Sequence, residues 1–295
     1  MSIMLDPPAR TPSALAALRA ELDGLDDALH DVLMRRAEVV AEVAALAAKG
    51  PTPLRPGREA IILRRLLARH TGPLPAQSIP RIWRELIAGC TVIQRPILIA
   101  VCDPLPDAAF AAVAREHFGA LAPLHVYRGA GQALGEVGAG IATAAVLPLP
   151  AEGEDPQLAW WTALLQPPGT GNAGLRLHVV ARLPFWAPRA EGAPRVQALV
   201  VSAAAADPSG DDRTLLGLEL PLEASRAQLA AALSTAGFAA SQVILRHDTG
   251  MPVAHALVDV AGFVSEADPR LATLGAVLHP PVILGAYAVP LESAA

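Results

Sequence analysis

Residues 15–46 read LAALRAELDGLDDALHDVLMRRAEVVAEVAAL, and the fold of the first third of the chain turns on them. Leu15, Leu18, Leu22, Leu25, Leu29, Val32, Val39, Val43 and Leu46 recur in alternating steps of three and four, the spacing of one face of a helix. Arg36 stands in the slot where that spacing calls for an apolar side chain. A guanidinium in an apolar seam is costly unless an anion meets it. The seam therefore predicts a small anion near Arg36.

Thr11 and Pro12 suit the cap and first position of this helix, and Gly50 with Pro51 ends it. A helix of about 37 residues spans on the order of 55 Å. Two short companions cannot cover such a length, so the exposed seam predicts a second subunit and an intertwined homodimer. Beyond a loop over 51–57, a second helix is expected over about 58–70, closed by Gly72 and Pro73. A third is expected to be capped by Ser78, with Ile79, Ile82, Trp83, Leu86, Ile87 and Ile93 apolar and Pro96 as its stop. Cys90 and Gln94, four apart, lie near the face of Leu86 and Ile87.

From residue 97 the periodicity changes. Short apolar runs at 97–101, 124–127, 143–147 and 175–181 alternate with helix-like stretches at 107–118, 130–137 and 155–165, which predicts an α/β lobe with a mostly parallel sheet. The end of the chain reads as strand 214–220, helix 224–236, strands 241–247 and 253–261, helix 266–277 and strand 281–289, the order of a ferredoxin-like α+β domain. The expectation is thus a multidomain chain: an all-α three-helix segment over 1–95, a single α/β lobe over 96–195 and a ferredoxin-like domain over 196–295.

Composition narrows the classes of function. With 295 residues, 53% of them apolar and 17% charged, the chain can bury more than one core. The net charge of −5 conceals an asymmetry, because residues 1–95 hold 13 basic against 10 acidic side chains and the remainder 10 against 18. Without a basic stripe, and with only 4% aromatics to stack bases, nucleic acid is not an expected partner. No run of 18 apolar residues suggests a membrane span, and residues 1–10 do not read as a signal peptide, so a cytoplasmic location is expected. The two cysteines, Cys90 and Cys102, fit neither a zinc site nor a disulfide scaffold, in keeping with a reducing compartment. Lys49 is the one lysine beside 22 arginines, and its ammonium is a point donor that a guanidinium does not replace.

The first 95 residues carry a resemblance. Leu18-Arg19-x2-Leu22-x2-Leu25-Asp26, Arg36 in the seam, Arg55-Pro56-Gly57-Arg58-Glu59 leading into Ile62-Leu63-Arg64-Arg65-Leu66, and Arg81-Ile82-Trp83-x2-Leu86-Ile87 ending in Gln94 together resemble the all-helical chorismate mutase family. The order of segments resembles the bifunctional chorismate mutase/prephenate dehydratase. Its dehydratase lobe is similar at residues 114–119 and 135–140, and its regulatory ACT domain at 257–262 and 284–287.

The resemblance implies a cofactor-free and metal-free pericyclic rearrangement of chorismate to prephenate. Chorismate is a dicarboxylate, and freezing its reactive conformer while stabilising charge on the breaking ether oxygen is enough. By resemblance, Arg36 and an Arg19 from the partner subunit clamp the carboxylates, Gln94 and a lysine donate to the ether oxygen, and Glu59 holds the hydroxyl. Arg58 and Cys90 assist in binding.

The departures are informative. The family places its lysine 11 residues after the first-helix arginine, where this chain has Ala47, and Lys49 lies 13 beyond Arg36. At 100° per residue, 13 positions land about 140° away from the arginine. Either the helix end unwinds and Lys49 swings in, or the site lacks its lysine. The chain has no room for a second dehydratase lobe, Val196-Gln197-Ala198-Leu199 stands where a Thr-Arg-Phe motif is expected, and 149–153 depart from the acceptor segment. Loss of dehydratase activity is the expectation. In the ACT-like part, Ala224-Ser225-Arg226-Ala227 and Leu245-Arg246-His247-Asp248 replace the usual signatures. A non-catalytic protein descended from the bifunctional enzyme, binding a partner or an aromatic metabolite, is the rival reading.

Overall fold

The computed structural model describes residues 12–46, 52–105, 107–156, 158–166, 175–186, 189, 191–248 and 250–291. Two compact units are formed, 1–48 and 49–295. The first is one helix, α1 (Pro12–Leu46), as the three-and-four spacing predicts. Its apolar seam lies open, with Leu22, Leu25, Leu29 and Val32 all more than half exposed.

The second unit opens with α2 (Pro56–Ala68) and α3 (Ser78–Gln94). Pro56 starts α2 where its missing N–H costs nothing. Ser78 does not cap α3 as expected; it is the first helical residue, Gln77 precedes it, and no side chain caps the end. The buried residues of α3 are Ile79, Pro80, Arg84, Cys90 and Thr91. Ile82, Val92 and Ile93 remain about half exposed, so much of the apolar face read from the sequence is uncovered within one chain.

Next come β1 (Ile99–Cys102), α4 (Ala109–Phe118), β2 (Leu124–Tyr127), α5 (Ala130–Gly138) and β3 (Ala144–Pro148). β1 pairs in parallel with both β2 and β3, which is the parallel α/β pattern predicted. The 155–165 stretch, expected as a helix, is a short 3₁₀ turn, Trp160–Leu165, that buries Trp160, Trp161 and Leu165. Past it lie β4 (His178–Leu183), which overlaps the apolar run expected over 175–181, and β5 (Ala198–Ser202), which the sequence reading did not pick out. β5 runs antiparallel to both β3 and β4, so within the lobe the parallel pairing is confined to β2-β1-β3.

The remaining elements are β6 (Asp212–Pro221), α6 (Arg226–Thr235), β7 (Ala240–Arg246), β8 (Val253–Ala261), α7 (Pro269–Thr273) and β9 (Val282–Ala288). They form an antiparallel array in the order β9-β6-β8-β7, as the strand–helix–strand–strand–helix–strand pattern predicts. α6 begins on a capping box in which Ser225 and Gln228 satisfy each other's backbone N–H groups. α7 is much shorter than the 266–277 expected. It starts late, at Pro269 behind an Asp268 cap, and ends early, where Leu274 turns to extended backbone and Ala276 then takes a left-handed φ of 64°.

The two β regions are not separate. A single nine-stranded sheet runs β2-β1-β3-β5-β4-β9-β6-β8-β7, joined where β4 and β9 lie parallel with Val179 opposite Gly285. Gly285 has φ 140°, and a Cβ there would stand 2.1 Å from the Val179 carbonyl oxygen. Only glycine allows that approach. A buried network also crosses the join. The Tyr287 hydroxyl donates to Asp259 at 2.6 Å, Arg213 Nε reaches the other Asp259 oxygen at 2.6 Å, and Arg182 of β4 donates to the Tyr287 oxygen at 3.2 Å. Burial, with the Asp259 carboxylate beside it, pushes the Tyr287 phenol up to about 12.

Candidate active site on the helical segment

The expected site residues fall on both units. Arg19 and Arg36 lie on α1, where Arg19 is exposed and Arg36 half-buried. Lys49 lies outside the described residues. Arg58, Glu59, Cys90 and Gln94 belong to the second unit.

The start of α2 is built by a distant part of the chain. Arg55 stands at its N-cap without a side-chain cap. Asp207 supplies that role instead, its two carboxylate oxygens accepting from Gly57 N and Arg58 N, each at 3.1 Å. A carboxylate on the first-turn N–H groups also meets the positive end of the helix dipole. The approach is so close that a Cβ on Gly57 would stand 2.2 Å from the Asp207 carbonyl oxygen. About two turns on, Arg64 fixes the same helix to the sheet. It donates to the Ser209 hydroxyl and carbonyl at 2.9 and 3.1 Å, and to the Asp211 and Val289 carbonyls at 2.9 Å each.

Glu59 follows in the first turn of α2. Its Oε2 accepts from Arg84 Nη1 of α3 at 2.5 Å, and both side chains are nearly buried, 12% and 9% exposed. The Arg84 guanidinium carbon lies 5.3 Å from the centre of the Phe185 ring. Desolvation lowers the pKa of Arg84 while the Glu59 carboxylate opposes that shift. Arg84 is the functional candidate that sequence reading missed. It interrupts the apolar residues of α3, yet nothing in its spacing marks it as buried.

The other residues contribute less to this arrangement. Arg58 has an exposed side chain, and it is its backbone N–H that Asp207 holds. Cys90 is buried, and Gln94, exposed at the end of α3, donates to the Cys90 carbonyl at 3.4 Å. The structure therefore brings Glu59 to Arg84 and Gln94 to Cys90.

A second concave feature lies elsewhere in the same unit. A groove of about 910 Å³ is lined by Glu154, Trp161, Glu219, Arg246, Asp248 and His255 among others. Arg246 Nη2 meets Asp248 at 2.6 Å, and Arg246 Nη1 donates to the Glu154 carbonyl at 3.1 Å. Burial raises the Glu154 carboxyl, with the Ala151 and Trp161 N–H donors and Arg246 pulling it back. Leu245, Arg246, His247 and Asp248 are among its lining residues.

With this geometry in place, the comparison with known proteins is direct. Residues 18–95 match the family model of chorismate mutase type II. The matched segment contains α2, α3 and most of α1. Among curated relatives, the bifunctional chorismate mutase/prephenate dehydratase of Pseudomonas aeruginosa is 32% identical over 112 residues, 36% of this chain and 30% of that protein. The protein of the same description from Neisseria gonorrhoeae is 34% identical over 86 residues, 29% of this chain and 24% of that protein. The matches span about a third or less of the length of those relatives. Among solved structures, the prephenate dehydratase of Streptococcus mutans aligns with a TM-score of 0.47 at 17% identity, over 67% of this chain and 100% of that one. The prephenate dehydratase of Arthrobacter aurescens in complex with L-Phe gives 0.46 at 17%, over 65% of this chain and 90% of that one. The sequence resemblance thus sits on the chorismate mutase type II segment. Among the described residues, no helix is long and apolar enough to cross a membrane.

Proposed function

We propose that this protein is a chorismate mutase, converting chorismate to prephenate by electrostatic preorganisation without a cofactor. The observation that carries the reading is the chorismate mutase type II match over residues 18–95, which spans Arg19, Arg36, Arg58, Glu59, Cys90 and Gln94. The reaction asks the protein for two things: clamping of two carboxylates, and donors toward the ether oxygen on which charge develops. Arg36 and a partner's Arg19 serve the first need. Gln94 serves the second, joined by Lys49 if the end of the first helix lets it turn inward, while Glu59 receives the substrate hydroxyl and Arg58 and Cys90 complete the pocket.

The open seam of α1 supports a homodimer with a site shared between subunits, since a run of exposed leucines is expensive in water. The three-part division into a mutase-like segment (1–95), a degenerate dehydratase-like lobe (96–195) and an ACT-like domain (196–295) is a division by ancestry, and a single sheet spans the last two parts. Dehydratase activity is lost in this reading, the protein is cytoplasmic, and neither nucleic acid nor membrane is a partner.

The test is conversion of chorismate by the purified full chain, followed by loss of substrate and appearance of prephenate. Arg36→Ala is expected to lower kcat/KM by about 100-fold or more, the usual effect of removing one such donor. An inert wild type, or an Arg36→Ala variant of equal activity, rejects the reading. Ala47 in the lysine slot favours the rival, a non-catalytic descendant that binds an aromatic metabolite or a partner. Absence of turnover with retained chorismate binding would establish that rival.

A further inference from the structure

We propose that Arg84 is a positioning residue for Glu59, and that the α/β lobe acts on the mutase site through it by way of Phe185. The inference rests on the mutase reading and goes beyond it, because it gives the truncated lobe a role in the helical site.

Three observations carry it. Arg84 is only 8% exposed, and a buried guanidinium needs partners that offset its desolvation. Its partners are the Glu59 carboxylate at 2.5 Å and the Phe185 ring face at 5.3 Å. One partner lies on α2 and the other follows β4 in the lobe, so the guanidinium is held from the lobe side and in turn holds the carboxylate.

Phe185 is itself anchored. It packs with Ala60 and Leu63 of α2 and with Ala288 of β9 in one buried cluster, which Trp83 of α3 joins. The same aromatic ring therefore contacts the helix that bears Glu59 and the cation that orients it. Three rotatable χ bonds separate the Glu59 backbone from its carboxyl group, and the ion pair removes that freedom before substrate arrives. Oε2 is engaged, which leaves Oε1 as the oxygen to accept the substrate hydroxyl.

Arg84 does not reach substrate directly. The cavity beside it, lined by Pro80, Arg81, Glu116, His117, Phe185 and Trp186, measures about 40 Å³. One water needs about 10–15 Å³ of such space, so this cavity has room for a few waters and not for a dicarboxylate. Burial and the neighbouring Arg84 charge hold His117 well below its ordinary pKa, so this ring does not compete as a second cation for Glu59.

A double-mutant cycle on the full chain tests the proposal, with kcat and KM for chorismate measured separately and folding checked by circular dichroism. Arg84→Met is expected to lower kcat/KM by about tenfold or more, the order expected for losing a charged hydrogen bond. In a Glu59→Gln background the same change is expected to alter kcat/KM by less than about twofold, because a residue that acts through Glu59 has nothing further to lose. Phe185→Leu, which keeps an apolar side chain in the cluster and changes no residue of either helix, is expected to follow the same pattern more weakly. It decides the matter should Arg84→Met fail to fold, and Arg84→Lys is expected to recover part of the activity. Effects that add in the Glu59→Gln background, or unchanged kinetics in Phe185→Leu and Arg84→Met, overturn the proposal while leaving the mutase reading intact. A wild type with no turnover overturns both.

Discussion

His117 and His178 sit in surroundings that disfavour their charged forms, chiefly through burial, with Arg84 adding to the effect at His117 and Arg176 at His178. Their folded pKa values lie below the ordinary 6.5, so the unfolded chain takes up protons that the native chain refuses. Stability is therefore complete above about pH 7 and declines as the pH falls through the unfolded histidine range. Glu154, whose carboxyl is raised by burial, works in the opposite sense, gaining stability on protonation. Comparison between variants separates the two. The urea midpoint of the wild type is expected to drop between pH 7.5 and 5.5, and His117→Gln together with His178→Gln is expected to flatten that drop. An unchanged slope would assign the pH dependence to other groups. At the same scale, the sequence showed Arg36 as a candidate because it breaks the apolar seam, and Glu59 through the resemblance to the chorismate mutase family. It did not show Arg84, since burial of a single charged residue depends on what packs over it, here Phe185, a hundred residues further on.

The helices differ in what supports them. α1 relies on its own hydrogen bonds and on whatever covers its seam, because the described seam residues are exposed within one chain. Leu25→Glu is therefore expected to leave the helix intact but to abolish the dimer, read as a halving of mass by sedimentation equilibrium. A wild type that is monomeric at working concentrations would refute the dimer. α2 is supported at its N-terminus by Asp207, 150 residues away from Gly57. Removing a side-chain cap costs about 1 kcal/mol. Asp207→Ala is thus expected to lower Tm by a few degrees in a domain of this size and to reduce kcat/KM in step with the loosened first turn that carries Glu59. A variant with unchanged Tm would show that the two N–H groups find equal partners in water. The helix boundaries near Pro12 and Gln94 were legible from Pro, Gly and the periodic seam, whereas α2 starts at Pro56, within the stretch that reads as a loop. The Asp207 cap was not, because a cap from another part of the chain leaves no local pattern.

At the scale of the molecule, the sheet runs without a break from β2 to β7, and its weakest-specified point is the β4–β9 join. That join depends on Gly285, with backbone in a region closed to other residues and the Val179 carbonyl against its missing Cβ. Gly285→Ala is expected to destabilise residues 49–295 by about 3 kcal/mol, since both strain and backbone collision are introduced. Differential scanning calorimetry would show it as a lowered Tm, and a variant of wild-type stability would mean that the two β regions do not depend on each other. The physical reason for a single sheet is plain: β4 and β9 each offer an edge that would otherwise present unpaired N–H and C=O groups.

What the sequence by itself determined are the features set by local chemistry and periodicity. These are the long amphipathic helix, the alternation of strand and helix from β1 to β3, the strand–helix order of the last 85 or so residues, and the mutase-like motifs on the helices. Only the tertiary structure decided that Ala198–Ser202 completes the lobe's sheet, that two expected helices shrink to short turns, and that one sheet joins the lobe to the ferredoxin-like part. Only it placed Arg84 between Glu59 and Phe185. Pairing partners and burial are relations between residues far apart in the chain, and no spacing within a segment encodes them.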